Sequence, residues 1–398
     1  HPKSAIVITN MDGLEWKRTK YSKKVQKALQ IAESLAVKKS DYLIADSIGI
    51  QKYIKEKYQK ESTYIAYGAN PFKQPDIAIL EKFQVQPNQY HMLMARFEPE
   101  NNLEMVLDGV VLSGQNTPVL VIGNHKTKYG SYLKNKYKIA VIDLMILKRQ
   151  KISAIPLAKE LKADGLEIDM GGLGNRETFD NKLSNDSIRQ EYIAKAKELN
   201  IKFCSLAMTG FYAQSFAERP TWQKMIGDCL ATAKAMDIKV VFLPLGVKGD
   251  LVKHPELRPA IVERLKIAGK MAKKAGVVIG IETSLDATAE KQLLKDICLK
   301  TVKSYFNFSN PLKEGRDLNK ELKILGRKNI VQIHATDEDG VWLENNKRLD
   351  LQQVKQTLIA MKWKGWLVIE RSRDITQAQN VKANFSANVA YLKKVFQD

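Results

Sequence analysis

Cysteine is scarce in this chain: Cys204, Cys229 and Cys298 are the only three, far apart and without a CxxC pair. Neither a disulfide framework nor a thiolate zinc site is therefore suggested. Long apolar runs are also missing. Apolar stretches such as 110–112 and 119–122 fall far short of the roughly 20 residues a spanning helix needs, so no membrane span is expected. No Pro/Gly/Ser-rich linker and no internal repeat divides the chain. It opens on His1 with no basic-then-apolar leader, which reads as a piece or a processed form of a longer protein. Unpaired cysteines suit a reducing compartment, so a cytoplasmic home is expected, with the periplasm left open.

What is present suits folded domains. With 398 residues, 44% hydrophobic and 27% charged, the chain is long and apolar enough for two domains with real cores. A formal charge of +20 invites a nucleic-acid reading. Both halves of the chain carry the surplus, however, and lysines such as Lys23, Lys24 and Lys27 flank Val25, Leu29 and Ile31 on the polar faces of amphipathic helices. That is a solvated-face pattern, and nucleic acid is not the expected partner.

The rhythm of the chain changes near residue 137. Before it, short apolar runs at 5–9, 42–45, 62–66, 91–95 and 119–122 alternate with helical patterns at 22–37, 47–57, 102–112 and 131–136. This is α/β with parallel sheets, yet it stops short of the five or six strands of a doubly wound domain. From residue 138 eight strand-then-helix units follow. Their strands are 139–144, 165–169, 202–206, 240–245, 277–282, 304–307, 330–334 and 366–370. Eight units in about 260 residues predict a (β/α)8 TIM barrel over 138–398, preceded by a partial Rossmann-like α/β segment over 1–137.

Reacting groups in such barrels project from the C-terminal ends of the strands. Here strand five ends in Gly280-Ile281-Glu282, strand six in Tyr305-Phe306-Asn307, strand seven in Gln332-Ile333-His334 and strand eight in Val368-Ile369-Glu370. Glu282, His334 and Glu370 are thus expected to converge, with Asn307 between them as a fourth ligand. Two carboxylates, an imidazole and a carbonyl oxygen suit Mn2+ or Mg2+ with positions open for substrate oxygens. Such an ion stabilises an enediolate while a carboxylate moves the proton next to a carbonyl. Glu167 on strand two and Arg373 beyond Glu370 are expected to meet the substrate, and Phe211, Tyr212 and Trp222 to form an apolar wall against a sugar face.

The motifs Gly165-Leu166-Glu167-Ile168-Asp169, Ile281-Glu282-Thr283, Gln332-Ile333-His334 and Val368-Ile369-Glu370-Arg371-Ser372-Arg373 resemble the sugar phosphate isomerase/epimerase group of xylose isomerase-like barrels. The resemblance covers roughly 138–398. It implies that Glu282 and Glu370 are both metal ligands and acid/base residues, that His334 is a ligand, and that the substrate is a sugar or sugar phosphate. Asn307 stands where the related ketose 3-epimerases have Asp, and Asn310 where a substrate-binding His is common.

Residues 1–137 resemble a nucleotide-sugar glycosyltransferase of the rhamnosyltransferase-like, two-Rossmann type. The likeness rests on Asn10-Met11-Asp12-Gly13, Tyr67-Gly68-Ala69 and Ala95-Arg96-Phe97-Glu98-Pro99. It implies a grip on the donor diphosphate by Arg96. Two further readings compete with the isomerase: a carbohydrate-binding barrel whose metal site is disabled by Asn307, and a DNA-cutting barrel with three metals. The last needs many histidines, and the barrel half offers only His254 and His334. A homo-oligomer is compatible with all of them.

Overall fold

A computed structural model describes residues 5–18, 21–71, 73–74, 76–115, 117–134 and 137–397. The chain forms two compact units, His1–Leu133 and Lys134–Asp398.

The first unit holds two short parallel sheets. In one, β1 (Ile8–Met11), β2 (Tyr42–Ala45) and β3 (Thr63–Tyr64) lie in chain order. Between them run α1 (Lys23–Lys39) and α2 (Ile48–Tyr58). Ser22 and Ser47 cap these helices by accepting from Val25 N and Ile50 N, which satisfies amides the first turn leaves free. Met11, Val37, Leu43, Ala45 and Ile54 form the core. The second sheet pairs β4 (His91–Met94) with β5 (Val119–Ile122) around α3 (Leu103–Leu112). Then comes α4 (Lys128–Lys134); the last two residues of the helix expected over 131–136 lie outside the described residues. The unit has the partial, parallel α/β character expected, divided between two sheets.

The second unit is a closed barrel of eight parallel strands. They are β6 (Tyr137–Ile142), β7 (Gly165–Asp169), β8 (Lys202–Ala207), β9 (Val240–Pro244), β10 (Val278–Glu282), β11 (Val302–Asn307), β12 (Ile330–His334) and β13 (Gly365–Ile369). Neighbours in sequence are neighbours in space, and β13 pairs back to β6 with Leu367 opposite Ile139. Helices α5 (Ala154–Glu160), α6 (Asp186–Leu199), α7 (Trp222–Ala235), α8 (Arg258–Ala275), α9 (Ala287–Ile297), α10 (Ser309–Lys313), α11 (Leu318–Leu325), α12 (Leu351–Ala360) and α13 (Val381–Phe396) fill the crossovers. Because helices cover the outside and side chains fill the inside, the strands are buried on both faces and read as near-continuous apolar runs. Ala140, Ile142, Cys204, Phe242, Tyr305 and Val368 pack the interior.

Two register shifts shape that interior. Leu166 lies opposite Phe203, but Glu167 lies opposite Ser205; likewise Ser304 faces Ile330, while Tyr305 faces Gln332. Each shift is a bulge that leaves one residue, Cys204 or Val331, without a partner across the ladder and re-aims the rest of its strand.

Candidate active site

Glu282 ends β10, Asn307 ends β11, His334 ends β12 and Glu370 comes directly after the last residue of β13. Strand alternation places them one layer above Gly280, Tyr305, Gln332 and Val368. The lower layer needs a glycine at 280: a Cβ there would lie 2.9 Å from Tyr305 Cβ and 3.0 Å from a Val331 methyl. Glu370 is anchored by its backbone, since Thr336 Oγ1 accepts from Glu370 N at 3.4 Å and Arg371 N at 3.1 Å.

The four side chains form one cluster. Glu282 Oε2 is 3.0 Å from His334 Nδ1, and Glu370 Oε2 is 3.8 Å from the same nitrogen. One ligand atom each from Glu282, His334 and Glu370 lies within 4.8 Å of the others. Bonds of about 2.1 Å at right angles separate ligand atoms by about 3.0 Å, so this spacing suits a small divalent cation. The donors, two carboxylates and an imidazole, suit Mn2+ or Mg2+. Asn307 does not turn its oxygen to the cluster as expected of a ligand. Its Nδ2 donates to Glu282 Oε2 and Glu370 Oε2, each at 3.1 Å, and its Oδ1 accepts from Ser309 N and Oγ.

A floor supports the cluster from below. His334 is fully buried, and its Nε2 lies 3.3 Å from Glu167 Oε1. The other Glu167 oxygen accepts from the Ser205 and Tyr305 hydroxyls, while Gln332 Nε2 donates to both of those hydroxyl oxygens at 2.8 Å. The Phe242 and Tyr305 rings lie 4.9 and 4.4 Å from the His334 ring. This floor corrects one expectation. Glu167 does not reach the substrate space; with no exposure at all, it is the carboxylate that orients His334.

Above the cluster opens a cavity of about 560 Å3, lined by Glu282, Asn307 and Glu370 with Tyr212, Asn310 and Arg371 on its walls. Asn310 lines this cavity, and its amide donates to Thr283 O at 2.9 Å. Arg373 is not on the wall: it pairs with Asp339, at 2.6 Å from Nη2 and 3.1 Å from Nε. Of the three expected aromatics only Tyr212 lines the cavity. Phe211 and Trp222 pack against Phe216 as a loop core. Arg96 lies exposed beyond β4 in the first unit. Sequence reasoning missed Arg371 and the Tyr212 hydroxyl, which donates to Glu282 Oε1 at 3.0 Å. Arg371 adjoins Glu370 in the motif already singled out, and that adjacency was the available signal.

The protein's own groups push the two carboxylates apart in acidity. Burial would raise Glu282, but His334, Asn307 and Tyr212 hold it below the ordinary range. Burial and the charge of Glu282 raise Glu370 against the pull of His334, Arg371 and Asn307. Burial would lower His334, yet Glu370, Glu167 and Glu282 hold it well above the usual imidazole value. Tyr212 is pushed well above 10 by burial and by Glu282 and Glu370, which keeps it a neutral donor.

Glu290, in the first turn of α9, is a second buried carboxyl close behind the site; it accepts from the Thr283 hydroxyl at 3.1 Å. Burial, with Glu282 and Glu321 nearby, pushes it up to about 7 from 4.5. A carboxyl raised in the folded state stabilises fully below its unfolded value, and that contribution is lost as pH rises through the folded value. Urea denaturation is accordingly expected to show roughly 3 kcal/mol lost between pH 4.5 and pH 8, and Glu290→Gln to remove that part of the slope. Parallel pH profiles for the two proteins would refute the assignment.

Residues 155–395 match the family model described as xylose isomerase-like TIM barrel. The chain belongs to that family. Residues 4–70 match a separate model, a domain of unknown function, DUF1972. No curated protein sequence matches the chain. Among solved structures, this xylose isomerase-like barrel is similar to a xylose isomerase domain protein from Alicyclobacillus acidocaldarius, at 11% identity and TM-score 0.52, covering 65% of this chain and 98% of that one. It is also similar to a D-psicose 3-epimerase with D-tagatose from Clostridium cellulolyticum H10, at 14% identity and TM-score 0.51 over 65% of this chain and 99% of that one. A third is a sugar phosphate isomerase/epimerase from Parabacteroides distasonis, at 13% identity and TM-score 0.50 over 64% and 93%. At these identities the likeness is one of fold. Among the described residues, no helix is long and apolar enough to cross a membrane.

Proposed function

We propose that residues 138–398 form the catalytic domain of a divalent-metal-dependent isomerase or epimerase acting on a sugar or sugar phosphate, with 1–137 a separate α/β segment. The observation that carries the reading is the meeting of Glu282, His334 and Glu370, the two carboxylates of which line a cavity of about 560 Å3. Those three residues would hold the cation, Mn2+ or Mg2+, which when bound would supply polarisation of the substrate carbonyl and stabilisation of an enediolate.

The proton chemistry belongs to the two carboxylates. Glu282, whose Oε1 is held by the Tyr212 hydroxyl, takes the proton from the carbon next to the carbonyl, and Glu370, across the Asn307 amide from it, returns one. Tyr212 fixes the orientation of Glu282 through the hydroxyl on Oε1, and Glu167 fixes that of His334. Arg371 on the cavity wall meets an anionic group of the substrate or the developing enediolate.

The test is turnover on a panel of ketoses and their phosphates in deuterated water. Proton abstraction predicts exchange of solvent deuterium into the carbon beside the carbonyl, its loss in chelator and its return with Mn2+ or Mg2+. Undiminished turnover in chelator would rule out the metal route, and interconversion without deuterium uptake would rule out the enediolate.

A further inference from the structure

Asn307 has neighbours of opposite chemistry at its two ends. Its amide nitrogen lies 3.1 Å from Glu282 Oε2 and 3.1 Å from Glu370 Oε2. Its oxygen lies 2.9 Å from both the backbone nitrogen and the hydroxyl of Ser309. A backbone N–H only donates and an ionised carboxylate only accepts, so the neighbours themselves dictate which end of the carboxamide faces which way. Turning it over would set the amide against the Ser309 N–H and the oxygen against two carboxylates. Ser309 is 5% exposed, so its N–H would find no water in exchange.

The geometry points to Asn307 as a spacer that ties Glu282 to Glu370 and makes no bond to the cation, leaving three protein ligand atoms from Glu282, His334 and Glu370. This rests on the reading of the barrel mouth as a cation site. Three ligands in place of four leave one more position for substrate oxygens or water and bind the ion less tightly. The amide also spreads its two hydrogens between the carboxylates, so it replaces an attraction to the ion with a fixed gap between the proposed acid and base. Ser309 is the clamp that enforces this choice, because its backbone N–H requires an acceptor there and its hydroxyl donates to the same oxygen. Asn307 is thus a positioning residue.

The test is Mn2+ binding by the full chain, read by electron paramagnetic resonance of free Mn2+ and by calorimetry, with circular dichroism confirming the fold of each variant. Asn307→Ala removes the spacer and no ligand, so affinity is expected to stay within a few-fold of wild type or to tighten. Asn307→Ser carries the same expectation if the alanine variant folds poorly. Asn307→Asp keeps an acceptor for Ser309 and adds a carboxylate oxygen toward the ion, so affinity is expected to rise about tenfold or more. Its melting temperature should fall without Mn2+, because a third carboxylate joins the cluster, and recover with it.

A wild-type protein that takes up Mn2+ but loses about tenfold or more in affinity on Asn307→Ala or Asn307→Ser overturns the spacer alone. An Asn307→Asp affinity equal to wild type overturns it as well. Failure of both wild type and Asn307→Asp to bind Mn2+ overturns the cation reading of the site, and this inference with it.

Discussion

Glu370→Gln is expected to lower kcat by about 10^3-fold while leaving the fold unchanged. The amide matches the volume of the carboxyl, and Thr336 would still hold the backbone at 370 and 371. What disappears is the ability to give or take a proton, along with one anionic cation donor. Glu370 lines the cavity, and burial and the charge of Glu282 push it above the ordinary carboxylate value. Steady-state kinetics on whichever ketose proves active, with deuterium exchange at the carbon beside the carbonyl, measures the loss directly. A variant within tenfold of wild type would remove Glu370 from the chemistry.

Glu167→Ala should cost stability as well as function. Glu167 is fully buried and is the shared acceptor for the Ser205 and Tyr305 hydroxyls, with His334 Nε2 facing its other oxygen. Removing it leaves these donors without a partner in a dry interior, and the loss expected is about 3–5 kcal/mol in urea denaturation. The milder Glu167→Gln keeps the volume but has one acceptor oxygen where His334 on one side and the two hydroxyls on the other are met by two. A metal ligand that loses its orienting carboxylate binds its ion roughly 10–100-fold more weakly. A Glu167→Ala protein as stable as wild type would mean the floor does not support the cluster.

Much of this was legible in the sequence, and physics explains where it stopped. The eight barrel strands stood out because parallel strands covered on both faces are nearly uninterrupted apolar runs. Their ends were equally visible, because Glu282, Asn307, His334 and Glu370 each break such a run abruptly. The first unit was harder. Its first strand was expected at 5–9 and forms at Ile8–Met11, where pairing with Tyr42–Ala45 sets the register and apolar composition does not.

The role of Glu167 was misread for a related reason. From the sequence its position is known along β7 but not in depth, and the bulge that turns Ser205 toward it depends on pairing between strands. The orientation of Asn307 had a local signal. An Asn two residues before a Ser can take the backbone N–H of that residue in a turn, which commits its oxygen before any ligand is considered.

The two unpaired residues, Cys204 and Val331, have an implication for engineering. A designer who grafts only the upper quartet onto a regular eight-stranded scaffold would keep position 332 below His334 on the same face, but would lose the offsets that set Ser205 opposite Glu167 and Gln332 opposite Tyr305. The transplanted imidazole would then rest on an unsupported carboxylate. The smallest portable piece of this architecture is therefore two storeys deep, with both offsets included.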